Sequence, residues 1–344
     1  MMLDDASSLV RQAMAEVFAR AANAPAAIVR ALSLDQVSVA LPILEHSPLL
    51  LDTDLVGLIR SSDCEAQCAI ARRVKLTAPV CAVIAEIGTA AAALELIQNA
   101  YAELAPSSWD RIVERHGQFA AIRESMLVLE DLPATTRLAL TAKLSDTLAQ
   151  FVVARQWLGA ARAGRMASDA RERSVVTIAA RSRKNDMHGL VRHLRVAGQL
   201  TAGLILRALL SGNLELFDCA LVELSGVPQR RVSALLYDGS GTGIDALLTR
   251  AGLPVSTFPA FRGALEAIRE TGFVGTAEGA AQLRRRMVER VLTRCETDAE
   301  AAEPLLILLR RFATESAREE ARALCRKMKT DNIIATIQSD LIAA

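Results

Sequence analysis

The sequence predicts an all-α fold, and three observations carry that prediction. First, 51% of the 344 residues are hydrophobic while aromatics are only 3%, and the apolar residues are mainly Ala and Leu, which enter a helix at the least free-energy cost. Second, apolar residues recur at helical spacing, as in Leu55, Leu58 and Ile59, in Val80, Val83, Ile84 and Ile87, and in Leu200, Leu204, Ile205 and Leu209. Third, no stretch alternates apolar and polar residues between turn signals, which is the pattern of a half-buried strand.

Helix punctuation is frequent. Ser33-Leu34-Asp35-Gln36 reads as a capping box that opens a helix at about residue 34. Asp52 and Asp54 are expected to stabilise the start of the next helix, where an anion complements the dipole. Pro79, Pro106 and Pro133 each precede an apolar helical pattern and stand 27 residues apart, and Pro228 and Pro254 do the same 26 residues apart. Proline suits the first turn of a helix because its missing N–H would have no partner there. A period of about 27 residues fits two short helices with their turns, the signature of a HEAT-like α-solenoid. An irregular helical bundle is the alternative.

Charge divides the chain into three. Residues 1–154 carry 12 basic and 18 acidic residues, 155–195 carry 10 and 3, and 196–344 carry 18 of each. The net charge of +1 therefore hides an acidic first part, a basic centre and a neutral remainder. We read 1–154 as an acidic helical-repeat domain, 155–195 as a basic connector and 196–344 as a second helical region. Gly159 and Gly164 weaken the helix pattern of the connector, and Ser182-Arg183-Lys184-Asn185-Asp186 is strongly polar. The expected course is helix, polar bend, then a new helix from about His188, with one long helix as the alternative.

No run of about 18 uncharged apolar residues occurs, so membrane insertion is not expected. The acidic start Met1-Met2-Leu3-Asp4-Asp5 lacks the basic character of a secretory signal. Six cysteines in a chain of this length suggest reduced thiols in the cytoplasm.

Two stretches carry a resemblance. One runs from Leu200-Thr201 through Leu206-Arg207-Ala208-Leu209-Leu210, Gly212-Asn213-Leu214-Glu215-Leu216-Phe217, Leu224-Ser225-Gly226-Val227-Pro228 and Arg231-Val232 to Ala251-Gly252-Leu253-Pro254. The other comprises His46-Ser47-Pro48-Leu49-Leu50, Asp54-Leu55 and Ile70-Ala71-Arg72-Arg73. Together they resemble a bacterial family, domain-of-unknown-function family 2336. The resemblance implies HEAT-like helical repeats and transfers no catalytic residue.

The chemistry-bearing motifs are few. Asp238-Gly239-Ser240-Gly241-Thr242-Gly243 is the one Gly-rich segment, but it follows a helical pattern where a phosphate-binding loop requires a strand, and it lacks the Lys-Ser/Thr pair. It reads as a turn before Ile244. The cysteines, Cys64, Cys68, Cys81, Cys219, Cys295 and Cys325, read as small buried thiols, because no zinc-ligand spacing joins them. His188 and His193 read as surface or interface histidines. No cofactor motif is present. The basic centre is the candidate partner or anion surface: Arg155, Arg162, Arg165, Arg171, Arg173, Arg181, Arg183, Lys184, Arg192 and Arg195. Arginine forks pair with carboxylates and phosphates. Nucleic-acid binding is the less favoured use, since the chain has little net charge and Trp157 is the only aromatic residue of that segment. The expected function is a non-enzymatic protein-interaction scaffold or adaptor, with a protein partner and a homodimer both in view. A nucleic-acid-binding repeat protein and a signalling module for a phosphorylated ligand are the alternatives.

Overall fold

The structure is a computed structural model, and it describes residues 7–182, 184–237, 241–271, 277–297 and 303–343. It is all-α, with nineteen α-helices among the described residues. Two compact units divide the chain, 1–171 and 172–344.

In the first unit the helices are short: α1 (Ser8–Phe18), α2 (Ala26–Ser33), α3 (Val37–His46), α4 (Asp52–Ser61), α5 (Cys64–Ala71), α6 (Ala78–Ile87), α7 (Ala90–Gln98), α8 (Pro106–His116) and α9 (Ala120–Val128). The longer α10 (Ala134–Ala154) follows, and α11 (Ala160–Arg181) runs across the division between the units. Packing follows a rule of two. The odd helices stack in the order α1, α3, α5, α7, α9, and the even ones in the order α4, α6, α8, α10, while α4 meets α5 and α6 meets α7. The even helices from α4 begin at residues 52, 78, 106 and 134, which is the proline period made physical. Pro79 and Pro106 sit in the first turns of α6 and α8, and Pro133 is the N-cap of α10.

Helices of 8 to 11 residues cannot stand alone in water. Each survives by burying one face in a continuous core that includes Leu32, Ile43, Ile59, Ile70, Ile84, Leu96, Ile112 and Ile122. Their ends raise a second problem, because the last carbonyls of a helix lack an internal donor. Side chains about one repeat later supply donors. Arg73, buried, donates to Leu44 O and Ser47 O at 2.5 Å each, at the end of α3. Asn99 Nδ2 donates to Ala71 O and Arg73 O at 2.8 Å after α5. Arg115 Nη1 donates to Ala85 O at 2.9 Å, and His116 Nε2 lies 3.2 Å from Gly88 O at the end of α6. Burial holds the His116 imidazole below its ordinary pKa. Polar ties also join successive helix starts, with Thr77 Oγ1 donating to Asp52 at 2.7 Å and Thr136 Oγ1 to Asp110 at 3.0 Å.

The second unit continues with α12 (Lys184–Val196), α13 (Ala202–Leu210), α14 (Leu214–Ser225), α15 (Gln229–Tyr237), α16 (Gly241–Arg250), a 3-10 turn at Val255–Thr257, α17 (Phe258–Thr271), α18 (Ala277–Thr297) and α19 (Glu303–Ala343). Helix α14 is its hub, touching α12, α13, α15 and α16, and α17 to α19 pack in sequence. The rings of Phe217 and Phe261 stack 6.1 Å apart inside it.

The structure corrects several local expectations. No helix opens at residue 34: α2 ends at Ser33, whose hydroxyl donates to Arg30 O at 2.8 Å, and α3 starts at Val37. Asp35 is drawn off by Arg11, whose Nε donates to it at 2.7 Å. The Ser33 hydroxyl is taken by a carbonyl of its own helix, and Gln36 is the N-cap of α3, so the box does not form. Helix α12 starts at Lys184 rather than about His188, and Gly164 lies within α11. Gly241, Thr242 and Gly243 form the first turn of α16 rather than a loop, while Asp238, Gly239 and Ser240 lie outside the described residues. Cys64 and Cys325 are exposed, unlike the other four cysteines. Ile87, placed on an apolar face by spacing, is 42% exposed.

Candidate functional site

The segments behind the resemblance turn out to be helix-end devices. Asn213 Oδ1 accepts from Leu216 N at 3.1 Å and so caps α14, just after Gly212 turns the chain at φ +77°. At the other end Gly226 takes φ +66°, the left-handed C-cap where a Cβ is strained. Ser225 Oγ accepts from Val227 N at 3.2 Å, and Arg250 Nε donates to Ser225 O at 2.9 Å. Gly252 repeats the left-handed turn at φ +73° before Leu253-Pro254. In the first unit Arg73 and Ser47 belong to one cap, as described above. A model of a bacterial family, an uncharacterised protein conserved in bacteria (DUF2336), matches residues 39–301. The chain belongs to the DUF2336 family. No match to a curated protein or to a solved structure accompanies that membership.

The residues of the basic centre are divided between the two units. Arg155, Arg162, Arg165 and Arg171 lie in the first unit, and Arg173, Arg181, Arg192 and Arg195 in the second. Lys184 begins α12, and Arg183 lies outside the described residues. Three have identifiable neighbours: the Arg155 guanidinium sits 5.3 Å over the Phe151 ring, Arg171 lies 3.5 Å from Asp146, and Arg195 donates to Glu223 at 3.0 Å. Arg162, Arg165, Arg173, Arg181 and Arg192 have no ion-pair partner among the described residues, and all five are exposed. His188 and His193 are exposed as well.

Two features were not read from the sequence. The first is a row of exposed apolar residues along the first unit. Leu51, Val74, Tyr101 and Val128 are 59, 66, 67 and 80% exposed, and each stands where an odd helix hands over to an even one. The last three are 27 residues apart. The signal was in the sequence as apolar residues at the repeat period, but only the helix boundaries show that they fall in the handover rather than on the core face. Trp157, edge-on to Phe151 at 5.7 Å, is a further exposed aromatic at 67%.

The second feature is a polar cluster in the second unit. Arg207, on α13, is only 6% exposed. It donates through Nη1 to Glu315, its Nε lies 3.4 Å from Glu172 Oε2, and its guanidinium sits 4.3 Å over the Phe312 ring. Arg284 Nη1 donates to Glu319 at 2.6 Å, and Arg285 bridges Glu289 and Glu320 at 2.7 Å each. The cluster borders a cleft of about 70 Å³.

A lone carboxylate stands elsewhere in this unit. Asp218 shares a cavity of about 10 Å³ with Phe217, Leu236, Leu265 and Arg269. Its Oδ1 is buried without a hydrogen-bond partner among the described residues, and burial pushes the carboxyl up to about 6. A carboxyl with a raised pKa favours folding only while it is protonated. Its stabilising contribution is therefore full below about pH 4 and lost as pH rises through about 6. Asp218→Asn is expected to leave stability at pH 4 unchanged and to add about 1–2 kcal/mol at pH 8, a figure already discounted for partial exposure. Urea unfolding at the two pH values reads it out.

Proposed function

We propose that the protein is a non-enzymatic scaffold whose first unit, a HEAT-like α-solenoid, holds a protein partner. The observation that carries this reading is the row Leu51, Val74, Tyr101 and Val128. Exposing a large apolar side chain at the same place in successive repeats keeps apolar surface in water, and repeat arrays use such rows as extended binding surfaces. The stacking order of the odd and even helices supports the solenoid part of the reading. Residues 1–154 carry six more acidic than basic residues, so the matching partner is a segment with apolar side chains flanked by Lys and Arg. A second copy of the chain is one candidate, since its basic connector, 155–195, has that charge. Among the described residues no helix is long and apolar enough to cross a membrane, and we place the protein in the cytoplasm.

The test is affinity capture from native lysate with the wild-type chain, a Val74→Glu/Tyr101→Glu/Val128→Glu variant, and a variant with Arg181, Arg192 and Arg195 changed to Glu. Each is run with and without nuclease, and captured partners are rebuilt from purified components. The expected result is a nuclease-resistant partner whose reconstituted binding falls at least tenfold in the triple apolar variant, the scale of losing anchor residues. Equal binding by that variant would sink the reading. Capture that vanishes with nuclease and in the arginine variant would replace it with nucleic-acid binding.

A further inference from the structure

The cleft beside Arg207 is lined from four helices: Arg173 from α11, Arg207 from α13 with Ser211 as its C-cap, Arg284 from α18, and Glu315 and Ser316 from α19. Val176, Val288 and Phe312 add apolar wall. Three guanidinium groups line it with two carboxylates, those of Glu315 and Glu319, and Glu172 reaches Arg207 from outside the lining. Arg173 is the guanidinium with no acidic partner among the described residues.

The donors are incompletely used. Glu315 occupies Nη1 of Arg207 and Glu319 occupies Nη1 of Arg284. Arg207 Nη2 and Arg284 Nε are buried with no hydrogen-bond partner among the described residues. Leaving a charged group's buried N–H without an acceptor is costly. Arg173 lies on the same cleft, exposed and without an ion-pair partner among the described residues. Stacking on Phe312 fixes the Arg207 guanidinium in place, so its charge is a standing feature of the floor rather than one summoned by a ligand.

We propose that this cleft is a binding site for a compact phosphate-type oxyanion. The chemistry follows from the lining. Donors arrive from several helices around a space of about 70 Å³, which holds only a few water-sized atoms. A tetrahedral acceptor can meet donors from several directions, whereas a planar carboxylate meets one fork. Ser211 and Ser316 add hydroxyl donors beside the guanidinium groups. The apolar wall lowers the local dielectric, which strengthens each contact. A bound oxyanion accepts from the exposed Arg173 guanidinium and from the cleft-lining Arg284, and it neutralises the unpaired charge at Arg173. The site lies wholly in the second unit and is independent of the scaffold reading.

The probe is inorganic phosphate, titrated into the full chain by calorimetry and by thermal melting, with sodium chloride at equal ionic strength as the control. A ligand that binds the folded state raises its melting temperature in a saturable way. Saturable binding in the millimolar range or tighter is expected, absent with chloride. Arg173→Gln and Arg284→Gln are each expected to weaken it about tenfold, the loss of one charge-assisted contact. Methyl phosphate serves as a second probe: tighter binding than inorganic phosphate assigns the site to a phosphoryl group on a larger molecule, and equal or weaker binding to free phosphate. A wild-type readout guards against variants that fail to fold. Phosphate should slow phenylglyoxal modification of Arg173 but not of the exposed Arg192. No saturable phosphate binding, binding indifferent to both substitutions, or equal protection of Arg173 and Arg192 would each overturn the proposal.

Discussion

Arg207→Met is expected to destabilise the second unit by about 3–5 kcal/mol, the cost of breaking a buried pair by removing one partner. Arg207 is 7% exposed in its side chain, against 14% for Glu315 and 24% for Glu172. Once the guanidinium is gone, Glu315 loses its ion-pair partner and Glu172 keeps only Arg311, 3.9 Å away. The loss belongs to the orphaned carboxylate and not to the arginine's own attraction. Arg207→Met with Glu315→Gln should therefore recover much of the stability, since replacing both members of a buried pair is often nearly neutral. Urea midpoints for the single and double variants measure the difference, and hydrogen exchange locates it. The amides of α13 should lose protection while those of α6 and α7 keep theirs. A single variant within about 1 kcal/mol of wild type would show that the cluster is open to water, where ion pairs contribute that little.

Two neighbouring arginines in the first unit should behave very differently. Arg73→Ala is expected to cost about 3 kcal/mol, because it strips charged donors from Leu44 O and Ser47 O in a buried setting. Ser47 is fully buried, so water cannot replace the lost donor. Arg72 pairs with Glu95 at 2.6 Å on the exposed side of the same turn. Arg72→Ala should cost less than about 1 kcal/mol, as surface ion pairs do. Paired denaturation curves decide the matter, and similar losses at both positions would contradict the capping role given to Arg73. Arg73→Lys is expected to recover only part of the loss, because one ammonium lacks the fork that reaches both carbonyls.

Arg72-Arg73 illustrates how far the sequence could be read. The pair was visible as part of a family-like segment, but its two members were indistinguishable. One lies on the buried side and caps α3, the other lies in water, and only the packing of α5 beside α3 separates them. The ten basic residues of the centre show the same limit. Their excess charge was countable, yet Arg171 and Arg195 found acidic neighbours while Arg173 joined a cleft with Arg207 and Arg284. The latter two lie 34 and 111 residues further along the chain. Ser33 shows the opposite error: it reads as the cap of a following helix but ends α2, its hydroxyl donating to Arg30 O.

By itself the sequence determined the all-helical class and the starts of α6, α8 and α10. Each rests on interactions within a few residues: helix propensity and a proline without an N–H. Membership in the DUF2336 family was legible for the same reason, because the family segments are runs of such local devices. Only the tertiary structure decided which apolar residues stay exposed at the helix handovers, which arginines are buried, and that Arg207 meets Glu172, Glu315 and Phe312. Those outcomes depend on helices far apart in the chain coming into contact, where burial sets the strength of a charge and the worth of a hydrogen bond.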